Sequence, residues 1–191
     1  MRNTSFTALL DANVLYPAPL RDLLLRVALT GIYRARWTID IHDEWKRNLL
    51  KNRPDLSPQH LDRTSTLMDQ AIPDALITDY HSLIAGLDLP DNDDRHVLAA
   101  AIKGGAAVIV TANGKDFPDS ILEPYAVEAI HPDEFLVDLW DLDQAALLKA
   151  AAEQRRSLKK PPLCVNAYLD MVRRQGLAQT VKLLSRCKHV L

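Results

Sequence analysis

The sequence predicts an α/β protein: a central parallel sheet with helices on both faces, three layers in all, followed by a helical C-terminal extension. Three observations carry this reading. Short apolar runs at Phe6 to Leu10 and Ala106 to Val110 each stop abruptly at polar or acidic residues. Apolar stripes at helical spacing lie between those runs. After His131-Pro132 the patterning is helical throughout.

Phe6 to Leu10 ends at Asp11, as a buried strand ending at a surface does. Pro17 and Pro19 lead into Leu20, Leu23, Leu24, Val27 and Ala28, one apolar face of a helix, with Gly31 as its stop. A second helix spans Ile39 to Leu50 and ends before Pro54. Ser57 as N-cap and Pro58 at the first helical position start a third, running to about Gln70. From Ile72 to Leu89 the pattern is ambiguous, and a strand and a short helix fit Ala75 to Ile84 equally. The acidic run Asp91 to Asp94 precedes Val97, Leu98, Ala100, Ala101 and Ile102, a capped helix ending at Gly104-Gly105. Ala106 to Val110 reads as a buried strand and Tyr125 to Ile130 as another short one. That order implies a parallel sheet with crossover helices. Pro161-Pro162 and Gly176 divide the tail into helices over about 133–140, 143–158, 163–175 and 177–184. The sheet domain is therefore assigned to residues 1–131 and the helical extension to 132–191.

With 191 residues and hydrophobic types at 48%, the chain can fill the core of one such domain and a small appendage. Aromatics are only 6%, so Leu, Ile, Val and Ala must build most of that core. A net charge of −2 carries no global nucleic-acid signature. The charge is uneven, however. From Lys149 onward there are ten Lys/Arg against two Asp/Glu, whereas the preceding residues hold 13 and 23. An acidic body with a basic tail gives that split, and so does a plain solvated helical tail. Cys164 and Cys187 match no metal or redox spacing and fit a reducing compartment. No run approaches ~18 apolar residues, and Met1 to Leu10 lacks a signal-peptide pattern. The expectation is a cytoplasmic protein without a membrane partner.

Chemistry concentrates in four segments. Asp11 follows the first strand, with Asn13 two residues on. In an open α/β sheet the carboxyl ends of the strands line the crevice where ligands bind. Asn113 and Asp116 stand in the equivalent place after the later strand. Asp91, Asp93 and Asp94 abut a helix N-terminus. One cap explains one acid but not three, and close carboxylates repel unless a cation or basic partner offsets them. Asp93 is read as the cap. Glu44 opens an amphipathic helix, and Arg47 and Asn48 share its face within reach of a phosphate. Each residue also has a plainer structural role open to it, as cap, turn or surface residue. His42, His96 and His131 are scattered and are read as surface residues, with His96 at most flanking the site.

Leu10-Asp11-Ala12-Asn13-Val14-Leu15 resembles the opening motif of PIN domains. Asp94-Arg95-His96-Val97-Leu98-Ala99-Ala100-Ala101 is similar to the family's third acid and its alanine-rich helix. Val110-Thr111-Ala112-Asn113-Gly114-Lys115-Asp116-Phe117 resembles its last strand-end motif, and Glu44 matches the second acid by order and spacing. The C-terminal helices resemble an extension found in a subset of VapC-like proteins. The resemblance implies a PIN-like three-layer fold and a metal-dependent endoribonuclease. Asp11, Glu44, Asp94 and Asp116 become its catalytic and metal-holding acids, with Asn13, Asp91 and Asn113 in support. The family's fourth acid sits at either the Asn113 or the Asp116 position, and Asp116 is preferred.

An all-oxygen acid set suits Mg²⁺ or Mn²⁺, which prefer carboxylate and water ligands. The resemblance further implies an RNA substrate, a small antitoxin partner and a homodimer. The dimer would pair through helices near the first and third segments, with Leu61, Met68 and Ile72 as candidate contacts. Arg47, Arg155, Arg156, Lys159, Lys160, Arg173 and Arg174 are candidate RNA contacts. Other readings remain. A haloacid-dehalogenase-type phosphatase would need Asp-x-Asp where this chain has Asn13. A non-catalytic RNA- or protein-binding module, a DNA-directed nuclease and a stand-alone RNA-processing enzyme use the same fold.

Overall fold

The computed structural model describes residues 6–191; the reading of Met1 to Leu10 falls partly on residues 1–5, outside the described residues. Strand β1 (Thr7–Leu10) is wholly buried and leads through Asp11 into the single-turn helix α1 (Ala12–Leu15). Helix α2 (Ala18–Leu29) follows, burying the stripe Leu20, Leu23, Leu24, Val27 and Ala28. Gly31, with φ of +84°, turns the chain into β2 (Arg34–Arg36).

Two longer helices come next. Thr38 caps α3 (Ile39–Asn52), and Ser57 caps α4 (Pro58–Ala71), each side chain accepting a backbone N–H of the first turn. The ambiguous stretch contains both of its candidate structures. Leu76 forms an isolated parallel bridge with Trp37, and α5 (His81–Ile84) is a single helical turn. A 3₁₀ turn at Asn92–Asp94 then runs into α6 (Arg95–Gly104), which Gly105 ends in the left-handed conformation. Strand β3 (Val108–Val110), helix α7 (Asp119–Leu122) and β4 (Glu128–Ile130) complete the sheet domain. Residues 123–125, partly assigned to the last strand from sequence, form a 3₁₀ turn instead.

The four strands are parallel, in the order β2-β1-β3-β4. Leu9 stands opposite Arg36 on one side and Ile109 on the other, and Ile109 opposite Ala129. The β1-to-β2 connection runs one way across the sheet and β3-to-β4 the other. With right-handed crossovers, their helices cover opposite faces. The architecture is the expected three-layer α/β/α fold. It also makes the gap between the ends of β1 and β3 the point where strand order reverses, the usual ligand crevice of open α/β sheets. Sequence patterning missed β2. Arg34-Ala35-Arg36 buries only Ala35 fully, too little apolar character to mark a strand.

The tail forms α8 (Pro132–Leu142), α9 (Gln144–Ser157), α10 (Val165–Arg173) and α11 (Ala178–Arg186), matching the expected pieces. Helix α9 packs most extensively on α2, and one hydrophobic core runs from the sheet into the extension. Two buried polar groups fasten it. Gln154 donates to the Pro19 carbonyl (2.8 Å) and accepts from the Tyr168 hydroxyl (2.8 Å). Asp133 accepts the Gln179 and Thr180 backbone N–H groups, both at 2.8 Å, capping α11 from outside that helix. Leu, Ile, Val and Ala dominate the core as expected, but Trp37, Trp45, Tyr33 and Phe117 are also fully buried. Among the described residues no helix is long and apolar enough to cross a membrane.

The residues expected to form an apolar pairing surface on α4 are turned inward. Leu61 and Met68 are buried in the core, and Ile72 packs half-buried against it. Their spacing faces α3, not solvent. Leu67 is an exposed apolar side chain of this helix.

Candidate active site

Asp11 is the anchor of the site. As N-cap of α1 it is only 3% exposed, and both oxygens are engaged. Oδ1 accepts the Ala12 N–H at 2.6 Å; Oδ2 accepts Asn13 Nδ2 at 2.6 Å and the Thr111 hydroxyl at 2.8 Å. Burial pushes its pKa up to about 6, and the nearby Glu44 charge adds to that, against the Thr111 hydrogen bond.

Thr111 ties this group to β3. Its Oγ1 donates to Asp11 and accepts from Asn13 Nδ2 (2.9 Å) and the Asn113 N–H (3.1 Å), which uses its full capacity. Asn13 Oδ1 closes the ring by accepting the Ala112 N–H at 2.9 Å. Side chains at the ends of two neighbouring strands are thus fixed against each other. Asn113 donates to Asp116, holding that carboxylate on the 3₁₀ turn beyond β3.

The other two acids arrive on helices. Glu44 lies on α3, its Oε2 3.5 Å from His96 Nε2 on α6. Burial works against charge on His96, but Glu44, then Asp40 and Asp11, outweigh it and raise its pKa. Asp94, half-buried where the 3₁₀ turn meets α6, makes no side-chain hydrogen bond among the described residues. Burial, then the charges of Asp11, Asp91, Asp116 and Glu44, push its pKa up to about 7. Four segments distant in sequence therefore bring their carboxylates close enough to oppose one another's ionisation.

These groups line a cleft of about 830 Å³ that also includes Asn13, Asp91, Asn113 and Arg47. The cap at this cluster is Asp91, whose carboxylate accepts the Asp93 N–H at 2.9 Å, so the role read for Asp93 belongs two residues earlier. His96 is a wall of the cleft, with its side chain 16% exposed, and not a surface residue. Asp40 also reaches it, held by the Tyr80 hydroxyl (2.5 Å) and His81 (3.0 Å). Asp40, Glu44 and Asn48, spaced by four on α3, would have marked one helix face from sequence. Thr111 leaves no such trace, because only the fold brings it to Asp11.

Among the described residues no three His, Cys, Asp or Glu side chains form a ready-made metal cluster. The donor set still suits a hard cation. Mg²⁺ keeps several waters and takes one or two carboxylates plus substrate phosphate, so it needs no protein cage.

Of the basic candidates, Arg47 lines the cleft. Arg156, Lys159, Lys160, Arg173 and Arg174 are exposed on the extension, with Arg173 paired to Asp170. Arg155 does not face solvent as a free cation. Its guanidinium donates to the carbonyls of Leu163 (2.9 Å) and Leu191 (3.1 Å), and its Nε is buried. It is a strut for the C-terminus, and its spacing next to Arg156 disguised that.

The PIN-domain family profile matches residues 7–115, and the profile of the VapC50 C-terminal domain matches residues 132–186. A protein of Mycobacterium tuberculosis (strain ATCC 25618 / H37Rv), named "Putative ribonuclease VapC50", is 39% identical over 111 residues. That alignment covers 58% of this chain and 65% of the relative, so the chain spans just under two thirds of its length. No solved structure matches the chain. With more than half of its residues under the first profile, the chain belongs to the PIN-domain family, and it carries a C-terminal segment similar to that of VapC50.

Proposed function

We propose that this protein is a divalent-metal-dependent endoribonuclease that hydrolyses RNA phosphodiester bonds in the acidic cleft. The observation that carries the reading is the convergence of Asp11, Glu44, Asp94 and Asp116 where the strand order reverses, with Asp94 pushed up to about 7. Burial first, and then the neighbouring carboxylates, oppose ionisation there, and a bound cation would relieve both. The name of the mycobacterial relative supports RNA as the substrate.

Each acid has its own part. Asp11, immobilised by Ala12, Asn13 and Thr111, presents a carboxylate already oriented for a cation. Asp116 is held by Asn113 and Glu44 by His96, while Asp94 is free to turn toward an arriving ligand. Together they would hold Mg²⁺ or Mn²⁺, which when bound would supply an activated water and charge stabilisation at the phosphorus and leaving oxygen. Arg47 offers the phosphate a donor at the rim. The exposed cations of the extension, Arg156, Lys159, Lys160 and Arg174, add non-specific affinity for the RNA backbone. Residues 1–131 then form the nuclease unit, with 132–191 as the extension that braces α2.

Comparing cleavage of single-stranded RNA with Mg²⁺, with Mn²⁺ and with excess EDTA tests this. The reading expects activity with either ion and none with chelator, and robust cleavage in EDTA refutes it.

The resemblance to VapC-like proteins adds a finer reading, a toxin restrained by a small antitoxin in the cytoplasm. An antitoxin arginine entering among the four carboxylates would replace the cation's charge. Growth arrest on expression alone, relieved by Asp11→Asn or by the neighbouring upstream gene, is the expected outcome. Equal growth in all cultures, from protein shown active in vitro, refutes the toxin role.

A further inference from the structure

Beside the acidic cleft lies a second concavity, a groove of about 410 Å³ between α3 and α4. Its α3 wall is one helical stripe, Asp43, Lys46, Arg47 and Leu50, spaced i, i+3, i+4 and i+7. Pro58 and Leu61 face it from the first turns of α4, so Leu50, Pro58 and Leu61 make an apolar floor. Along the groove Lys46 is shared between two acids, its Nζ 3.1 Å from Asp43 and 2.9 Å from Asp62.

Arg47 differs. It is exposed, takes part in no hydrogen bond or ion pair among the described residues, and lines the groove and the cleft alike. No other lysine or arginine among the described residues lines the cleft. A phosphate entering a space walled by carboxylates needs a cation beside it, and this one stands where the two concavities meet. A ligand that suits both has a flat apolar body with an anion at one end.

We propose that the α3–α4 groove is a nucleobase subsite: it takes the base of an RNA nucleotide next to the scissile bond, while Arg47 holds that nucleotide's phosphate. The proposal rests on reading the cleft as the site of RNA cleavage. The volume lies within the ~300–1,000 Å³ of small-ligand sites. Lys46 is already engaged by Asp43 and Asp62, and Leu50, Pro58 and Leu61 offer no hydrogen bonds, so the floor favours a base by area. A purine covers more of the apolar floor than a pyrimidine and is preferred.

The test is binding of the full chain, in EDTA to prevent cleavage, to fluorescein-labelled decamers followed by anisotropy. One is oligoadenylate; the other is an abasic ribose-phosphate strand of the same length. With roughly 60 Å² of apolar surface covered at ~25 cal/mol per Å², the wild type is expected to favour the adenylate strand by about 10-fold. Leu50→Ser should erase that preference and leave abasic binding as it was. Arg47→Gln should weaken both strands alike and lower the slope of log K against log salt by about 1. Pro58→Ser, at an exposed position, is the second probe of the floor if Leu50→Ser fails to fold.

A preference that survives in folded Leu50→Ser and in Pro58→Ser overturns the proposal. Equal binding of the two strands by the wild type also overturns it, while leaving RNA binding intact. Binding of neither strand overturns this subsite, while the reading beneath it stands or falls separately on the cleavage assay with Mg²⁺ or Mn²⁺. Self-association that Leu50→Ser abolishes, with RNA affinity unchanged, gives the groove to a second copy of the chain and overturns the proposal as well.

Discussion

Replacing Asp94 by Asn should stabilise the metal-free protein at alkaline pH. The carboxylate makes no side-chain hydrogen bond among the described residues, so Asn removes charge without orphaning a donor. Its pKa rises from 3.8 to about 7 in the fold. A rise of that size corresponds to about 4 kcal/mol for a fully desolvated group. Asp94 is half-buried, and solvent screening brings the expected gain down to about 1–2 kcal/mol. At ~2–4 °C per kcal/mol for a chain of this length, the melting temperature should rise by about 2–8 °C.

The pH dependence fixes the cause. The folded carboxyl holds its proton up to about pH 7, whereas the unfolded one releases it near 3.8. Unfolding between those values releases a proton, so wild-type stability falls as pH rises through that window and levels off above it. The advantage of Asp94→Asn should therefore be full at pH 8 and fade toward pH 4. Urea denaturation in EDTA at pH 4.5, 6 and 8 measures it. A variant no more stable than wild type at pH 8, or a gain independent of pH, would refute the argument that burial and the neighbouring carboxylates disfavour a charged Asp94. Millimolar Mg²⁺ should narrow the gap by stabilising the wild type more.

Other perturbations separate positioning from support. Thr111→Val leaves Asp11, Asn13 and Asn113 each short of one partner. It should weaken Mn²⁺ binding by about 10–100-fold, read by calorimetry, and an unchanged affinity would count against the ring of hydrogen bonds as an orienting device. Arg155→Met should lower stability by about 1–3 kcal/mol without altering the salt dependence of RNA binding. Lys159→Gln with Lys160→Gln should leave stability alone and flatten that dependence by about 1 per lysine; no change would make this loop merely solvated. Asp133→Asn halves the acceptors that cap α11 and should reduce stability in urea by about 1–3 kcal/mol, with cleavage of the folded protein intact.

Most of the architecture was legible because it rests on local rules. Ser57-Pro58 and Gly105 mark helix ends through backbone geometry that few other residues supply. The stripe from Leu20 to Ala28 needs only a 3.6-residue period. Strand β2 was illegible because its partner, β1, supplies the burial that Arg34-Ala35-Arg36 lacks. In the candidate site, acids that end strands could be found by position. The exchange between Asp91 and Asp93 could not, since which acid caps depends on the φ and ψ of a 3₁₀ turn. His96 and Thr111 depend on pairings across 52 and 100 positions, Glu44 with His96 and Asp11 with Thr111, which no periodicity encodes. Leu61 and Met68 were legible as apolar but not as turned toward α3.

The packing of α9 on α2 has a consequence for synthesis. Helix α2 leaves the ribosome early, but the helix that covers it begins more than 100 residues later, at Gln144. At ~5–20 residues per second that interval is roughly 5–25 s. Throughout it, the nascent chain carries an incompletely covered apolar helix. The growing polypeptide thus exposes a surface that chaperones recognise until Gln144–Ser157 has been made and can fold onto α2.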